Sequence, residues 1–249
     1  MTRIVVIGGT GRIGSRLVTR LAAAGHDVVS ASPSTGIDVR TGIGLDDALA
    51  GAAVVVDVSK PAVYEPRAVH AYFEGAAHTL MRAETVAGVA HHISLTVVGA
   101  ERPNDVGYYK AKAAAEEVVR TSGVPFTLLR ATQFFEFAPT IADAAEVDGV
   151  VVLPRASVQP IAAADVADVL ERLCEEPARA GDLEIAGPET FALDDFVGRV
   201  LRSREDGRRI VAAPEGRYFG GRLDEDTLLP AGPTLLLPTR LSDWLAAGG

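Results

Sequence analysis

Short, uninterrupted apolar runs alternate with longer segments whose apolar residues recur at helical spacing over the first half of the chain. Runs of about four to seven residues have the length of strands that are buried on both faces of a sheet. These runs predict strands at 4–7, 27–31, 53–57, 92–98 and 126–130. The intervening segments predict helices at 15–24, 45–49, 66–88 and 108–122. Strands alternating with helices form a parallel sheet covered on both faces, so the pattern predicts an α/β protein with a doubly wound, right-handed sheet.

The first predicted strand runs directly into a glycine-rich turn and then into the first helix. Gly8, Gly11 and Gly14 have the spacing of a dinucleotide-binding fingerprint, at the strand–helix junction where that fingerprint belongs. Gly8 permits the tight turn, Gly11 lets a pyrophosphate approach the backbone, and Gly14 lets the helix pack close to the strand. N–H groups at the helix start, with the positive end of the helix dipole, then hold the phosphates. A glycine-rich turn without a ligand is the alternative interpretation.

The turn after the second predicted strand carries no acidic residue. NAD sites usually place an Asp or Glu there to bind the ribose hydroxyls, whereas this turn has the sequence Ser-Ala-Ser-Pro-Ser-Thr. Hydroxyls such as those of Ser32 and Ser34, with the charge of Arg12, could bind a 2′-phosphate. The sequence therefore favours NADP(H), with NAD(H) as the alternative. Asp38 and Val39 are predicted beside the adenine, although the serines could form an ordinary solvated turn and Asp38 could be a turn residue.

The last third of the chain is less regular. It predicts strands at 150–153, 183–186 and 210–212 and helices at 165–175, 193–201 and 241–246. We predict a nucleotide-binding domain over residues 1–155 and a smaller substrate-binding lobe over residues 156–249, packed on it as one structural unit. Ligands of open α/β sheets bind at the carboxyl ends of the strands, which such a lobe would cover.

Charge and composition favour a small-molecule substrate as the partner of this protein. The 249-residue chain has a formal net charge of −9, which argues against nucleic acid or an anionic membrane as the main partner. Cys174 is the only cysteine and the five histidines lack the spacing of a metal site, so neither a disulfide nor a metal is predicted. No leader precedes the first strand and no apolar run reaches membrane-spanning length, so we expect a cytoplasmic protein. A homo-oligomer is compatible with the sequence.

Tyr108 and Lys112 are four residues apart in a predicted helix and therefore share one helix face. The free phenol has a pKa of about 10, and a neighbouring ammonium lowers it, which tunes the tyrosine as a proton donor or acceptor for a carbonyl or alcohol. Lys112 could also hold the nicotinamide ribose. Ser94, on the fourth predicted strand, could hydrogen-bond the substrate oxygen. The alternative is an ordinary Tyr and Lys on an exposed helix face.

Aromatic residues cluster directly after the fifth predicted strand. Phe134, Phe135 and Phe137 flank Glu136 and could line an apolar pocket for an aromatic or quinone-like molecule. Gln133, just before them, is also predicted to contact the substrate. The alternative is that this cluster is part of the protein core.

Three segments together resemble the short-chain dehydrogenase/reductase superfamily. They are Gly8-Gly9-Thr10-Gly11-Arg12-Ile13-Gly14, Ser94-Leu95-Thr96-Val97-Val98-Gly99 and Tyr108-x-x-x-Lys112. The glycine loop and the chain length are most similar to the atypical, NmrA-like branch, which is described as NAD(P)-binding or nucleoside-diphosphate-sugar-epimerase-like. The resemblance implies a Rossmann-type fold and an NAD(P)-dependent oxidoreductase in which Ser94, Tyr108 and Lys112 are catalytic. It also implies that Arg130-Ala131-Thr132-Gln133-Phe134 passes near the nicotinamide.

The predicted cofactor contacts combine the glycine loop, the polar turn, two strand ends and the lysine. They are Gly8, Thr10, Gly11, Arg12, Ile13, Gly14, Ser32, Ser34, Asp38, Val39, Val58, Ser59, Lys112, Ala131 and Thr132. The predicted reaction is the NADPH-dependent reduction of a carbonyl or quinone-like molecule, with Tyr108 as acid/base. Two alternatives stay open: a non-catalytic NADP(H)-binding redox sensor of NmrA type, and an NAD-dependent sugar-nucleotide epimerase or dehydratase.

Overall fold

The computed structural model describes residues 1–61, 66–102 and 104–249, which form two compact units. The first unit comprises Met1–Thr96, Ala111–Arg130 and Val166–Leu183, and the second comprises Val97–Lys110, Ala131–Asp165 and Glu184–Gly249. This division differs from the predicted one between residues 155 and 156. Each unit is assembled from three separate segments, because the segments that follow the fourth and fifth strands belong to the second unit.

The elements follow the predicted alternation through the first half of the chain. The strands are β1 (Arg3–Ile7), β2 (Asp27–Ala31), β3 (Val54–Asp57), β4 (His91–Val97), β5 (Phe126–Ala131), β6 (Glu146–Val147), β7 (Val150–Leu153), β8 (Ser157–Val158), β9 (Gly181–Ala186), β10 (Phe191–Ala192), β11 (Arg209–Ala212) and β12 (Thr234–Leu236). The α-helices are α1 (Arg12–Ala23), α2 (Leu45–Leu49), α3 (Pro66–Ala87), α4 (Gly107–Thr121), α5 (Ala138–Ala144), α6 (Ala163–Glu175), α7 (Leu193–Ser203) and α8 (Leu241–Ala246).

Seven strands form the main sheet in the order β12-β9-β5-β4-β3-β1-β2. β1 pairs in parallel with β2 on one side and with β3 on the other, and β3 pairs in parallel with β4. The central apolar run Ile4, Val5 and Val6 is completely buried, as expected for a strand covered on both faces. This arrangement confirms the predicted doubly wound, Rossmann-type fold.

Helix α1 shows why the sequence places the glycine loop where it does. Its buried residues Ile13, Leu17 and Leu21 recur every four positions, with Gly14 beside the first of them, so one face packs on the sheet. The helix begins immediately after Gly11, which is its N-cap. The loop is thereby held between a buried strand and a helix anchored by its own apolar stripe.

The second unit has a separate apolar core. Phe135 lies at its centre, with ring centroids 6.4 Å from Phe196 and 5.5 Å from Trp244. The helix predicted over residues 165–175 begins two residues earlier, at Ala163, so Asp165 lies in its first turn. The carboxylate of Asp165 accepts hydrogen bonds from the backbone N–H and the hydroxyl of Thr239.

No helix in the described part of the chain is long and apolar enough to cross a membrane.

Candidate functional site

Three glycines shape the turn between β1 and α1. Gly8 has φ +79°, and a Cβ placed on it would lie 2.9 Å from backbone atoms of Val58 and Ser59. A Cβ on Gly14 would overlap the carbonyl oxygen of Gly8, so the helix packs directly on the turn. A Cβ on Gly11 would meet only that same oxygen, at 3.2 Å. The geometry therefore fits the roles that a dinucleotide fingerprint requires: a tight turn, a close helix contact and an open side for the pyrophosphate.

The start of α1 is suited to an anion. Its N-cap is Gly11, which has no side chain to cap the first turn, and that turn contains no acidic residue. The backbone N–H groups of the first turn therefore have no capping side chain, and the positive end of the helix dipole is not offset by a carboxylate. A phosphate is the natural ligand for such a helix start.

A hydroxyl pair ties the glycine loop to the turn after β2. The Ser32 hydroxyl accepts hydrogen bonds from the backbone N–H of Thr10 at 3.3 Å and from its hydroxyl at 2.9 Å. Ser32 also shares a capping box with Thr35, so its side chain has a structural role. Ser34 and Arg12 are exposed, and the structure shows no hydrogen bond or ion pair of either side chain within the described ranges. Ser34 and Arg12 therefore have side chains free of other polar contacts in the described structure, and their predicted contact with a 2′-phosphate stays a prediction.

Asp38 belongs to a tight turn. Arg40 donates to both carboxylate oxygens, at 3.1 and 2.7 Å, and its backbone N–H donates to one of them at 2.9 Å. These hydrogen bonds hold the pKa of Asp38 below its ordinary value. Val39 beside it is buried. The contacts of Asp38 match the alternative of a turn residue, and its predicted contact with adenine stays a prediction.

Lys112 is buried, not placed on an exposed helix face. Its side chain leaves α4 toward the interior, where Nζ donates to the carbonyl oxygen of Leu95 at 2.9 Å and lies 4.1 Å from the ring centroid of Phe73. Burial lowers the pKa of Lys112, and the charges of Asp57 and Glu116 oppose that shift. The alternative that Lys112 is an ordinary lysine on an exposed helix face is therefore wrong.

Two adjacent tyrosines begin α4, and the structure distinguishes them. Tyr109 is 2% exposed, and its hydroxyl accepts a hydrogen bond from Gln133 Nε2 at 2.7 Å. Burial and the neighbouring Tyr218 raise the pKa of Tyr109 well above its ordinary value. Tyr108, the residue one helical turn before Lys112, is only half-buried. Of the two phenols, Tyr108 is the one that combines the predicted spacing with partial exposure.

Ser94 lies in the middle of β4, half-buried, opposite Asp57 of β3 in the parallel register. Thr96, two residues on, donates to Glu116 Oε1 at 2.7 Å. Sequence reasoning did not select Asp57, Thr96 or Glu116. The signal was present, because His92, Ser94 and Thr96 place a polar side chain at every second position of β4, alternating with Ile93 and Leu95.

Most residues at and just after the end of β5 are buried. Ala131 and Thr132 are buried, and the backbone N–H of Thr132 donates to Ile185. Phe134 is half-buried and Phe135, 1% exposed, fills the core of the second unit. The packing of Phe135 matches the core alternative, and the substrate contacts predicted for Gln133, Phe134 and Phe135 stay predictions.

A different pair of aromatic rings is half-buried in the same unit. Phe137 stacks on Phe219 with centroids 5.6 Å apart and an interplanar angle of 20°. Phe219 has φ +48°, which is strained for a bulky residue. Sequence analysis did not find Phe219, because it follows β11 by seven residues in a segment without clear periodicity.

Metal ligands and the single cysteine were the other candidates for a reactive site. Within the described ranges, no group of three or more His, Cys, Asp or Glu side chains could hold a metal ion. Cys174 is buried, and burial raises the pKa of its thiol to about 12. A thiol in that state is not a nucleophile at neutral pH.

The parallel sheet, the glycine turn and the uncapped helix start together define a Rossmann-type nucleotide-binding protein. The chain belongs to the family described as NAD(P)H-binding, which matches residues 8–177. This membership confirms NAD(P)H as the cofactor class and agrees with the resemblance to the NmrA-like branch.

Known relatives and solved structures extend the likeness to nearly the whole chain. Over 232 residues, the chain is 31% identical to (4-alkanoyl-5-oxo-2,5-dihydrofuran-3-yl)methyl phosphate reductase of Streptomyces griseus subsp. griseus, covering 82% of this chain and 77% of the relative. dTDP-4-dehydrorhamnose reductase from Bacillus anthracis, solved in complex with NADP, superimposes with a TM-score of 0.66 at 12% identity, covering 86% of both chains. An NADPH-dependent quinone oxidoreductase from Escherichia coli gives 0.63 at 19% identity, covering 84% of this chain and 78% of that one. At these identities the two structures show a shared fold.

Proposed function

We propose that this protein is an NADPH-dependent reductase of a carbonyl or quinone-like small molecule, with Tyr108 as the proton donor. The observation that carries the proposal is the placement of Lys112. It is a buried ammonium one helical turn after a half-buried tyrosine, on the same helix α4. A buried lysine is costly for a protein to keep, so a lysine at this spacing favours a functional role over chance.

The first unit carries the residues proposed to hold the cofactor. Gly8, Gly11 and Gly14 leave room for the pyrophosphate at the start of α1, and the position of an exposed Arg12 beside them favours a 2′-phosphate. When bound, the reduced nicotinamide supplies a hydride. Ser34 is proposed to donate a hydrogen bond to the same phosphate.

Tyr108 is proposed to hold a proton on Oη and to donate it to the substrate oxygen. The free phenol, with a pKa of about 10, is a weak acid at neutral pH, and each unit by which Lys112 lowers that pKa corresponds to about 1.4 kcal/mol. Ser94 was predicted to orient the substrate oxygen. Ser94 lines the same small cavity as Lys112, which favours a supporting role beside the lysine.

Two relatives support reduction as the reaction class. The Streptomyces protein is named a reductase of an oxo-dihydrofuran phosphate, and the Escherichia coli protein is named an NADPH-dependent quinone oxidoreductase. Both names describe oxidoreductases of small organic molecules, and the Escherichia coli name specifies NADPH. We extend the reaction class to this chain and leave the particular substrate open.

The adjacent tyrosines provide a matched test. Tyr108→Phe removes the proposed proton donor, so kcat/KM on a panel of carbonyl and quinone substrates should fall by about 10²- to 10⁴-fold, the usual contribution of general acid catalysis. The dissociation constant for NADPH, measured by calorimetry, should stay within about twofold. Tyr109→Phe deletes a phenol that lies within the core, and should lower stability while the folded enzyme keeps its turnover.

Three outcomes would contradict parts of the proposal. Full activity of Tyr108→Phe on every substrate would remove Tyr108 from the chemistry. NADPH binding without turnover of any substrate by the wild type would favour a redox sensor. Tightly held NAD that co-purifies with the protein would favour an epimerase.

A further inference from the structure

One face of β4 is polar although it lies inside the first unit. His92 and Thr96 are 1% and 5% exposed, and they alternate with the apolar residues Ile93 and Leu95. β1, in the same sheet, is apolar on both faces. Because parallel strands in such sheets are normally apolar throughout, the polar face of β4 needs a physical explanation.

This polar face borders a small cavity with about 10 Å³ accessible to the centre of a water molecule, which is close to the minimum needed to hold one water. Helices α3 and α4 supply the other walls. The polar side chains that line it are Asp57, His92, Ser94, Thr96, Lys112 and Glu116. A water in a cavity needs two to four polar partners, and this lining supplies more than that.

Lys112 lacks a direct ion pair within the described ranges. Its Nζ contacts a carbonyl oxygen and an aromatic ring, neither of which carries a full negative charge. Burying an ammonium without an anion costs several kcal/mol by general estimates. Charge balance therefore requires a carboxylate near Lys112, even though none touches it.

Of the three carboxylates nearby, two already have a cationic partner. Glu116 accepts from Arg130 Nη2 at 2.5 Å. Glu84, on α3, lies 2.9 and 3.1 Å from His92 Nδ1 through its two oxygens. Asp57 accepts the backbone N–H of Ser59 at 2.9 Å, and no cation is paired with it in the described structure.

His92 contributes an unsatisfied polar atom. Its Nδ1 is occupied by Glu84, and its Nε2 is buried without a hydrogen-bond partner in the described structure. Leaving such a group unpaired costs about 1–3 kcal/mol. His92 lines the cavity, so one water there could serve it.

We propose that the cavity binds one water molecule, which joins His92 Nε2 and the ammonium of Lys112 to the carboxylate of Asp57, and that Asp57 is the counter-ion of Lys112. Four acids then face four bases, so the group is neutral as a whole when every member is ionised. The acids are Asp57 from β3, Glu84 from α3, Glu116 from α4 and Asp182 from β9, and the bases are His92 from β4, Lys112 and Arg120 from α4 and Arg130 from β5. The direction of the charge effects agrees, since Asp57 raises the pKa of both Lys112 and His92 against the lowering effect of burial.

Asp57→Asn tests the counter-ion directly. Asparagine has nearly the same shape and keeps an oxygen for the Ser59 N–H, but it removes the charge. The chain has only three lysines and five histidines, so NMR of selectively labelled protein can resolve and titrate each one. The pKa of Lys112 should fall by about one unit or more, and that of His92 should fall with it. Asp47→Asn, an exposed aspartate on α2, is the control and should move neither.

The water is tested on the wild-type protein. A high-resolution crystal structure should show one ordered water within hydrogen-bond distance of His92 Nε2 and Lys112 Nζ. An empty cavity would overturn the water site, and unchanged titrations of Lys112 and His92 in Asp57→Asn would overturn the counter-ion. Both measurements are made without substrate, so they are independent of whether Tyr108 catalyses a reduction.

Discussion

The contact between Gly14 and the glycine turn can be tested with a matched pair of substitutions. Gly14 in α1 and Gly75 in α3 are both helical glycines without a positive φ. A Cβ on Gly75 would meet nothing within 4 Å, whereas one on Gly14 would overlap the carbonyl oxygen of Gly8 and lie 2.8 Å from Gly9 Cα. The atoms opposed to Gly14 are backbone, so they cannot rotate out of the way.

The expected magnitudes follow from these contacts. Replacing a helical Gly by Ala contributes up to about 1 kcal/mol of intrinsic stability at either position. Overpacking against a rigid neighbour costs about 1–3 kcal/mol, and it applies only to Gly14. Gly75→Ala should therefore raise the free energy of unfolding by about 0.5–1 kcal/mol, and Gly14→Ala should lower it by about 1–2 kcal/mol.

Cofactor binding gives a second measurement of the same contact. An alanine at Gly14 displaces the start of α1 from the turn, so NADPH should bind at least about tenfold more weakly, or about 1.4 kcal/mol. Urea denaturation measures the stability change and calorimetry the affinity. If Gly14→Ala were as stable as Gly75→Ala and bound NADPH like the wild type, the close approach of α1 to the turn would not matter for the site.

Further predictions concern charge. Arg12→Ala should weaken the binding of NADPH by about tenfold and leave the binding of NADH unchanged. The control is Arg16→Ala, one turn further along the exposed side of α1, which should change the affinity for neither cofactor. Calorimetry with both cofactors measures these affinities. Burial lowers the pKa of His92, but the adjacent Glu84 carboxylate more than offsets this effect, so the pKa of His92 is raised. Burial also raises the pKa of Glu84. The folded pair therefore holds its proton more tightly than the unfolded chain does. The stabilisation by this pair is complete below about pH 6.5, the pKa of histidine in an unfolded chain, and is lost as the pH rises through the higher pKa of His92 in the folded protein. The midpoint of urea unfolding should therefore fall between pH 6 and pH 9 in the wild type, and should fall less in Glu84→Gln. Glu116→Gln removes one of the two carboxylates paired with the buried Arg130, which keeps Asp182 at 2.9 Å, and should cost about 1–3 kcal/mol of unfolding free energy. Urea denaturation measures the loss, and an unchanged free energy of unfolding would show that the Arg130–Glu116 pair does not stabilise the fold.

The first half of the fold could be predicted from the sequence because its periodicity is simple. β1 is a continuous apolar run that ends at Gly8, and the structure places the strand and turn there. The second unit was harder to predict. β12 (Thr234–Leu236) lies in a proline-rich segment and gains its hydrogen bonds from β9, a strand about fifty residues earlier in the chain. A strand defined by a distant partner leaves little local pattern.

The candidate site was predictable where one element carries its whole signal. The glycine spacing and the spacing of Tyr108 and Lys112 each lie within one segment. Asp57 could not be found in this way, because its relation to Lys112 exists only after β3 and α4 have packed together. The two phenylalanines Phe137 and Phe219 are a similar case, being about eighty residues apart yet stacked.

The polar interior of the first unit separates two explanations for Tyr108 and Lys112. If Lys112 were an ordinary charged residue of α4 without a function, it would be exposed, and the strand packed beneath it would be apolar like β1. Instead the chain keeps an ammonium, an imidazole and three carboxylates within one side of the sheet, where apolar residues of similar volume would be at least as stable. Departures from the apolar rule tend to occur at functional sites, because stability alone does not favour them. The cost of burying Lys112 is therefore the strongest physical argument that its charge has a functional role. A variant with Asp57, His92 and Lys112 all replaced by apolar residues should be more stable than the wild type but inactive, and that result would demonstrate the role directly.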